Sequence, residues 1–327
     1  MSKRRRYNTL IVGAGRIGCG YDTPHSSRIL THAHAYRAHG RTRLTAIVDV
    51  DLKRARAAAR TWSCKAYADL QDALNEERPE IVSVCTPDDT HGRVLQQIAA
   101  AAHRPRLVIC EKPLTLKPTE TATLLTLYRK KRIALLVNHT RRFDPTVVQV
   151  AADLKRGRYG KVLFGWATYS NGILHSGSHI MDLVRLFFGE PRMSRSLFAR
   201  RDRPRTTDRT IGAFLALERC PQFHLMAGDG SRYDYFQFDI VCERGRISFF
   251  DLGFRYAVQL VAPDPVYPGY RALGKPVIRD TQFDVAMKEL VDNAVQFLDG
   301  KSALRCDGQD AYQTQRLCWK LLHDDLV

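Results

Sequence analysis

A glycine pattern near the amino terminus constrains the fold of this chain more than any other stretch. A short apolar run, Leu10–Val12, leads directly into Gly13–Gly18, which has the sequence GAGRIG. Such a run is typical of a buried parallel strand. Gly13 permits a tight turn, Gly15 lets the backbone approach a pyrophosphate, and Gly18 lets a following helix pack closely on the sheet. Because a helix start also offers free N–H groups, the stretch predicts a dinucleotide site.

Length and composition bound the class of protein. The chain has 327 residues, of which 44% are hydrophobic, so it can form two domains with sizeable cores. No apolar run approaches the roughly 20 residues of a membrane helix. The basic start, Met1–Arg6, is followed by strand-like residues rather than by the apolar region of a signal peptide. We therefore expect a cytoplasmic protein with no membrane partner.

The eight cysteines are scattered and form no Cys-x-x-Cys pair. This spacing predicts buried free thiols in a reducing compartment, with neither a disulfide framework nor a metal site. The formal net charge of +17 is compatible with nucleic acid, an acidic surface or an anionic substrate as partner. Because the arginines are spread along the chain without a nucleic-acid motif, we favour a generally basic surface, then an anionic substrate, and expect no nucleic acid.

Strand-like and helix-like segments alternate over the first 138 or so residues. This alternation predicts an α/β domain at 1–140 with a doubly wound parallel sheet. Five residues follow predicted strand ends: Gly13, Asp49, Thr86, Glu111 and Asn138. Because ligands of such sheets bind at the carboxyl ends of the strands, we expect these five residues to converge.

Asp49 is the predicted ligand of the nucleotide ribose. It lies 31 positions after Gly18, and the loop-like stretch Cys19–Thr31 accounts for the excess over the usual spacing of about 20. An acid there favours NAD over NADP, although Lys53 and Arg54 lie nearby and keep NADP open as the alternative. The loop itself is either a lid over the ligand or a neutral surface insertion.

The second part of the chain has a different pattern. Helix-like segments and short runs that alternate apolar and polar residues, mostly between 192 and 262, predict a mixed α+β domain at 141–327. Two helix-like segments, at 283–298 and 308–323, close the chain.

Four motifs occur in a defined order. They are the glycine stretch at 13–18, Val84-Cys85-Thr86-Pro87 with His91, Cys110-Glu111-Lys112-Pro113, and Gly177-Ser178-His179-Ile180-Met181-Asp182. The ordered set resembles the Gfo/Idh/MocA family, named after glucose–fructose oxidoreductase, inositol dehydrogenase and rhizopine catabolism proteins. The likeness extends over nearly the whole chain.

The resemblance implies a Rossmann domain joined to a substrate domain with an open, mostly antiparallel sheet that often forms dimer or tetramer interfaces. The last helix is expected to pack back on the first domain. The implied activity is transfer of hydride between NAD(P) and a hydroxyl or keto carbon of a sugar, sugar acid, cyclitol or nucleotide sugar. We therefore expect a homodimer or homotetramer and a small, sugar-like substrate, with an anionic sugar derivative among the alternatives.

The resemblance also implies the catalytic residues. Lys112 would stabilise negative charge on the reacting oxygen, and the Lys-Pro bond that follows is often cis in the family. His179 would exchange the hydroxyl proton, with Asp182 one helical turn later as its partner or as a substrate ligand. The alternative is a structural histidine paired with a helix acid. His175 stands where many members carry aspartate, so the usual division of roles is open and His175 is either a proton-exchanging group or a ligand of an anion.

The remaining predicted contacts follow from position. The cofactor-binding set is Gly13, Gly15, Arg16, Ile17, Gly18, Asp49, Thr86, Pro87, His91, Glu111 and Lys112, and the substrate-binding set is Asn138, Arg141, Arg142, Asn171, His175 and His179. Arg141 and Arg142 would clamp an anion, with interdomain salt bridges as the alternative. His91 is either close to the cofactor or an ordinary helix-start residue.

Three other functions remain open at this point. A non-catalytic, nicotinamide-binding regulator and an NAD-dependent glycoside hydrolase share the implied fold. A basic nucleic-acid-binding protein is the unrelated alternative.

Overall fold

The computed structural model describes residues 5–202 and 207–325, so most of the basic start lies outside the described residues. The chain divides into two compact units. The first contains the chain up to Phe143 together with Asp284–Gln313, and the second contains Asp144–Phe283 and the chain from Thr314. The sequence-based division places all of 141–327 in one domain, whereas the structure groups Asp284–Gln313 with the first unit.

The first unit is built on a six-stranded parallel sheet, which confirms the predicted fold class. Its strands are β1 (Tyr7–Val12), β2 (Thr42–Val48), β3 (Lys65–Tyr67), β4 (Ile81–Val84), β5 (Leu107–Glu111) and β6 (Ala134–Asn138). Their order across the sheet is β3-β2-β1-β4-β5-β6, and every neighbouring pair is parallel. Because the chain order reverses between β1 and β4, ligands of such a sheet bind at the carboxyl ends of these strands.

Helices alternate with the strands of this sheet. They are α1 (His32–Ala38), α2 (Leu52–Trp62), α3 (Leu70–Glu77), α4 (His91–Ala100) and α5 (Pro118–Lys131). The carboxylates of Asp51 and Asp69 accept first-turn N–H groups and so fix where α2 and α3 begin. Strand and helix interiors are apolar, so the sheet is buried on both faces.

The stretch between the glycine turn and α1 has an unusual structure. A five-residue π-helical turn, Arg16–Gly20, replaces the long helix that usually follows such glycines. The chain then loops to Thr31, whose hydroxyl caps α1 by accepting from the His34 N–H. Asp22 ties this loop to α1, because its buried carboxylate accepts from the Leu30 and Thr31 N–H groups and the Thr31 hydroxyl and contacts His34 Nδ1 at 2.9 Å.

The second unit contains a nine-stranded sheet with one helix before it and one after its first strand. The elements are α6 (Pro145–Lys155), β7 (Val162–Tyr169), α7 (Gly177–Phe188), β8 (Pro191–Arg200), β9 (Thr210–Leu217), β10 (Phe223–Ala227), β11 (Phe236–Cys242), β12 (Gly245–Phe250), β13 (Arg255–Pro263), β14 (Arg271–Leu273) and β15 (Val277–Asp280). The strand order is β14-β13-β12-β11-β7-β10-β9-β8, with β15 paired to β13. Only the β7–β10 pair is parallel among these described strands, which confirms a mostly antiparallel sheet.

Two helices close the chain. They are α8 (Ala286–Leu298), which belongs to the first unit, and α9 (Gly308–His323), within which the division between the units falls. Throughout residues 5–202 and 207–325, each helix is too short or too polar to cross a bilayer. All eight cysteines are free thiols, as predicted, and only Cys64 is more than slightly exposed.

We expect Asp22→Asn to lower the free energy of unfolding by about 2 kcal/mol, since an amide replaces one of two acceptor oxygens with a donor that faces other donors. Urea denaturation measures the change. Asp51→Asn is the matched control, because asparagine caps a helix about as well as aspartate and should leave stability nearly unchanged. Equal stability of wild type and Asp22→Asn would show that Asp22 does not anchor the loop.

Candidate functional site

The glycine turn packs against the end of β4. Gly13 has a φ of +102°, and a Cβ built on it would lie 2.5 Å from the Cys85 carbonyl oxygen. A Cβ on Gly18 would lie 2.4 Å from the Gly13 carbonyl oxygen. By contrast, a Cβ on Gly15 would have no atom within 4 Å, so the backbone of Gly15 faces open space. This arrangement fits the close approach of a pyrophosphate.

The helix start predicted after Gly15 is a π-helical turn of only five residues. The Cys19 N–H already donates to the Gly15 carbonyl oxygen at 2.9 Å. An anion beside this turn would therefore depend on the N–H groups of the turn itself, where Arg16 and Ile17 lie, and not on a helix macrodipole.

Asp49 follows β2 and is buried. Its carboxylate accepts from the N–H groups of Ala14 at 2.8 Å and Asp51 at 2.9 Å. Arg54 adds a bidentate pair, with Nε 3.0 Å and Nη2 2.7 Å from the two oxygens. Burial alone would raise the pKa of Asp49, but the hydrogen bonds from Arg54 and the two N–H groups outweigh burial and lower it. The ribose ligand predicted from the sequence therefore carries a negative charge that Arg54 already balances.

His91 connects two loops at the carboxyl edge of the sheet. Its buried ring lies 2.8 Å by Nε2 from the Thr86 carbonyl oxygen and 2.7 Å by Nδ1 from the Pro113 carbonyl oxygen. The Thr90 hydroxyl also donates to Thr86 Oγ1 at 2.8 Å. Both ring nitrogens thus contact backbone carbonyl oxygens. His91 would therefore affect a cofactor indirectly, by holding the loops that carry Pro87 and Lys112.

Glu111 and Lys112 lie at the end of β5, and the Lys112–Pro113 peptide bond is cis. Glu111 Oε1 accepts from Asn138 Nδ2 at 2.6 Å and lies 2.9 Å from His32 Nε2. Burial would raise the pKa of Glu111, but the hydrogen bonds with His32 and Asn138 and the nearby charge of Lys112 outweigh burial and lower it. Asn138 is itself fully buried and supports Glu111, so its predicted substrate contact stays a prediction.

The two arginines after β6 differ in their surroundings. Arg142 is buried, and its Nη1 donates to the Arg305 carbonyl oxygen at 3.0 Å and lies 3.5 Å from Asp310 Oδ2. These contacts hold the closing segment of the first unit along β6, where Val137 N–H also donates to the Cys306 carbonyl oxygen. The geometry favours a structural role for Arg142, within one unit rather than between domains. The role of Arg141 as a ligand of an anion stays a prediction.

In the second unit, α7 carries His179 in its first turn. Gly177 allows the helix to approach the sheet, because a Cβ there would lie 2.6 Å from the ring of Tyr169. Tyr169 is fixed in turn, since its hydroxyl donates to the Ile211 carbonyl oxygen at 3.1 Å and accepts from the Ile211 N–H at 2.7 Å. Asp182 is buried and accepts from the Thr314 hydroxyl at 3.3 Å.

Sequence reasoning missed Asp208. A π-helical turn, Gly172–Ser176, carries the exposed side chain of His175, and the Leu174 and His175 N–H groups each donate to Asp208 at 3.0 Å. Asp208 thus places a carboxylate beside the turn of His175, the position where many family members carry aspartate. Its oxygens accept hydrogen bonds from backbone N–H groups. No motif surrounds Asp208, so no signal in the sequence points to it.

Asn171 precedes this turn in the left-handed conformation, with a φ of 65°. Its Nδ2 donates to Asp234 Oδ1 at 2.5 Å, and its N–H donates to Asp202 at 2.7 Å. These contacts orient the start of the turn, and the predicted contact of Asn171 with substrate remains a prediction.

Comparison with known families identifies the first unit. Residues 7–139 match the model of the Gfo/Idh/MocA oxidoreductases, described as an oxidoreductase family with an NAD-binding Rossmann fold. Residues 7–139 are thus similar to the Rossmann domain of the Gfo/Idh/MocA family. The resemblance inferred from the four motifs and the predicted NAD-binding fold are thus confirmed.

Individual relatives agree with this assignment. The chain is 28% identical to an inositol 2-dehydrogenase of Rhizobium meliloti (strain 1021) over 199 residues, which cover 56% of each protein. The chain spans about half the length of the relatives it matches in sequence.

Solved structures extend the likeness to the fold of nearly the whole chain. An Agrobacterium radiobacter oxidoreductase in complex with NAD⁺, L-tartaric acid and magnesium has a TM-score of 0.74 at 16% identity and covers 96% of this chain and 94% of its own. The WlbA dehydrogenase of Bordetella pertussis, in complex with NADH and UDP-GlcNAcA, has a TM-score of 0.74 at 17% identity and covers 98% and 97%. At these identities the likeness shows the fold alone.

Two alanine substitutions in the glycine turn should separate packing from ligand binding. Gly13→Ala should lower the free energy of unfolding by about 3 kcal/mol, since its φ is unfavourable and its Cβ would meet the Cys85 carbonyl. Gly15→Ala should keep near wild-type stability, because its φ of −74° is ordinary and its Cβ meets nothing.

Urea denaturation and titration with NADH, followed by fluorescence, measure the two effects. We expect Gly15→Ala to weaken NADH binding at least about tenfold, since the methyl group would occupy the pyrophosphate's approach. Unchanged affinity in a folded Gly15→Ala protein would show that the dinucleotide does not bind at this turn.

Proposed function

We propose that this protein is an NAD(P)-dependent oxidoreductase that acts on a CH–OH group of a sugar, sugar acid, cyclitol or nucleotide sugar. The supporting observation is the placement of Lys112 at the carboxyl end of β5, at the same sheet edge as the open Gly15 turn of β1. We further propose that the first unit binds the dinucleotide and that the second unit supplies substrate contacts. The matched family and the name of the related inositol 2-dehydrogenase support this assignment.

The proposed chemistry assigns one role to each side chain. When bound, the nicotinamide would supply the hydride acceptor or donor. Lys112, as an ammonium held beside the ionised Glu111, donates a hydrogen bond to the reacting oxygen and stabilises negative charge on it. His179 holds or releases the hydroxyl proton, since imidazole titrates near neutral pH. His175 binds the substrate or assists with proton exchange, and Asp182 supports α7 in this role.

The substrate and assembly are parts of the same proposal. The excess of basic residues supports an anionic sugar-like substrate, for which Arg141 is the proposed ligand. We propose a homodimer or homotetramer in the cytoplasm, by analogy with the family.

We expect Lys112→Ala and His179→Ala each to lower kcat/KM roughly 100-fold or more, because each removes a group that interacts with the reacting oxygen or its proton. The assay follows reduced nicotinamide with a panel of cyclitols, sugars, sugar acids and nucleotide sugars. Exposed Lys117 and exposed His224 offer matched controls, and their alanine variants should retain full activity.

Unchanged turnover in Lys112→Ala or His179→Ala would contradict the assigned roles. Tight NAD(H) binding without turnover on any member of the panel would instead favour a non-catalytic regulator. Release of sugar from an aryl glycoside without net reduction of NAD would favour a glycoside hydrolase.

The Asp49–Arg54 pair generates a prediction about cofactor preference. Arg54→Ala should raise the Kd for NADP(H) about tenfold, because the guanidinium that could bind the extra phosphate is lost and the Asp49 charge is exposed. The Kd for NAD(H) should stay equal or fall. Calorimetry measures both constants, and Arg56→Ala, on the same helix, is the control. An unchanged ratio of the two constants would exclude Arg54 as a determinant of preference.

A further inference from the structure

A row of buried, hydrogen-bonded polar side chains in the first unit ends at Glu111. The His32 side chain is 0% exposed and lies 2.9 Å by Nε2 from Glu111 Oε1. Its Nδ1 lies 2.9 Å from Ser83 Oγ, and that oxygen lies 2.6 Å from the Tyr36 hydroxyl. Helix α1 and strand β4 thus supply three polar groups that lead to the carboxylate beside Lys112.

The direction of the hydrogen bond between His32 and Glu111 follows from the charge of Glu111. An ionised carboxylate only accepts, and the lowered pKa of Glu111 keeps it ionised, so His32 Nε2–H donates to it. On the other side of the ring, Nδ1 lies beside the Ser83 hydroxyl, which in turn contacts the Tyr36 hydroxyl.

His32 reaches Glu111 because the inserted loop places it there. The Asp22 carboxylate holds Leu30 and Thr31, and Thr31 caps α1 directly before His32. The loop that the sequence left open as a lid or a neutral insertion therefore delivers a polar side chain to the sheet edge.

The other groups that face Glu111 do not replace His32. Asn138 on β6 is neutral and donates one hydrogen bond, and Lys112 follows Glu111 in the chain. Burial, and then the charge of Glu111, raise the pKa of the Cys85 and Cys110 thiols, so both stay neutral. Among the described residues, the His32 hydrogen bond does most to offset the effect of burial on the pKa of Glu111.

We infer that His32 is a positioning residue, which holds the Glu111 carboxylate ionised and in one orientation beside Lys112. The inference rests on the proposed function for the importance of Lys112 in turnover, but the His32–Glu111 interaction itself does not depend on that function. Loss of His32 leaves a largely buried carboxylate with one fewer donor, which raises its pKa.

The test measures the Glu111 titration without any substrate. Protein labelled with ¹³C at glutamate carboxyl carbons is titrated by NMR, and the Glu111 signal is assigned by its absence in Glu111→Gln. In wild type we expect a midpoint below the ordinary glutamate value. In His32→Phe, which retains a ring, we expect the midpoint to rise by about two pH units. Tyr36→Phe, on the same helix, is the control and should leave the midpoint nearly unchanged, since Ser83 and His32 keep their contacts.

His32→Gln, whose amide can donate to Glu111, should restore the low midpoint. In the same variants, the acidic limb of the kcat/KM profile should move upward in His32→Phe and not in Tyr36→Phe. A shifted Glu111 midpoint without turnover by the wild type would support the positioning role and reject the proposed function. An unchanged midpoint in folded His32→Phe overturns the inference.

A measurement on the wild type covers the case in which His32→Phe does not fold. In ¹⁵N-histidine-labelled protein, His32 should carry a hydrogen on Nε2, the nitrogen that faces Glu111. The opposite tautomer would be incompatible with donation to Glu111 and would reject the inference.

Discussion

The close contact between the Gly13 backbone and the Cys85 carbonyl is the constraint on which the first unit depends. It brings the turn after β1 against the end of β4, where the strand order reverses. No side chain fits at Gly13, and a Cβ at Gly18 would strike the Gly13 carbonyl, so the turn is shaped by backbone packing. Only Gly15 remains open, and its exposed backbone gives the sheet edge its capacity to approach a pyrophosphate.

Three carboxylates that are buried or largely buried organise the surroundings of this turn. Asp22 anchors the inserted loop, Asp49 joins the glycine turn to α2, and Glu111 joins β5 to α1 and β6. Each of them has several donors, because a buried charge without partners would be strongly destabilising. The lowered pKa values of Asp49 and Glu111 have this common cause. The same residues that maintain the local fold therefore set the charge at the candidate site.

Much of the first unit could be predicted from residue pattern. Alternating apolar runs and helical segments predicted the parallel sheet. Gly13, Asp49, Glu111 and Asn138 do lie at or directly after strand ends, and Thr86 lies two residues after the end of β4. These features could be predicted because strand periodicity and the backbone conformations of glycine depend on only a few neighbouring residues. The helix predicted to begin within the glycine stretch is only a five-residue π-helical turn, because a single turn meets the packing requirement of Gly18.

The sequence by itself determined the two kinds of sheet, the glycine turn and the positions of Lys112 and His179 at the ends of regular elements. Only the tertiary structure decided which partner each polar side chain has. Arg54 balances Asp49, His32 reaches Glu111, Arg142 holds the closing segment, and Asp208 orders the turn of His175. The reason is physical: periodicity reports burial along one element, whereas a buried polar group must find its donor or acceptor on whichever distant segment the fold brings beside it.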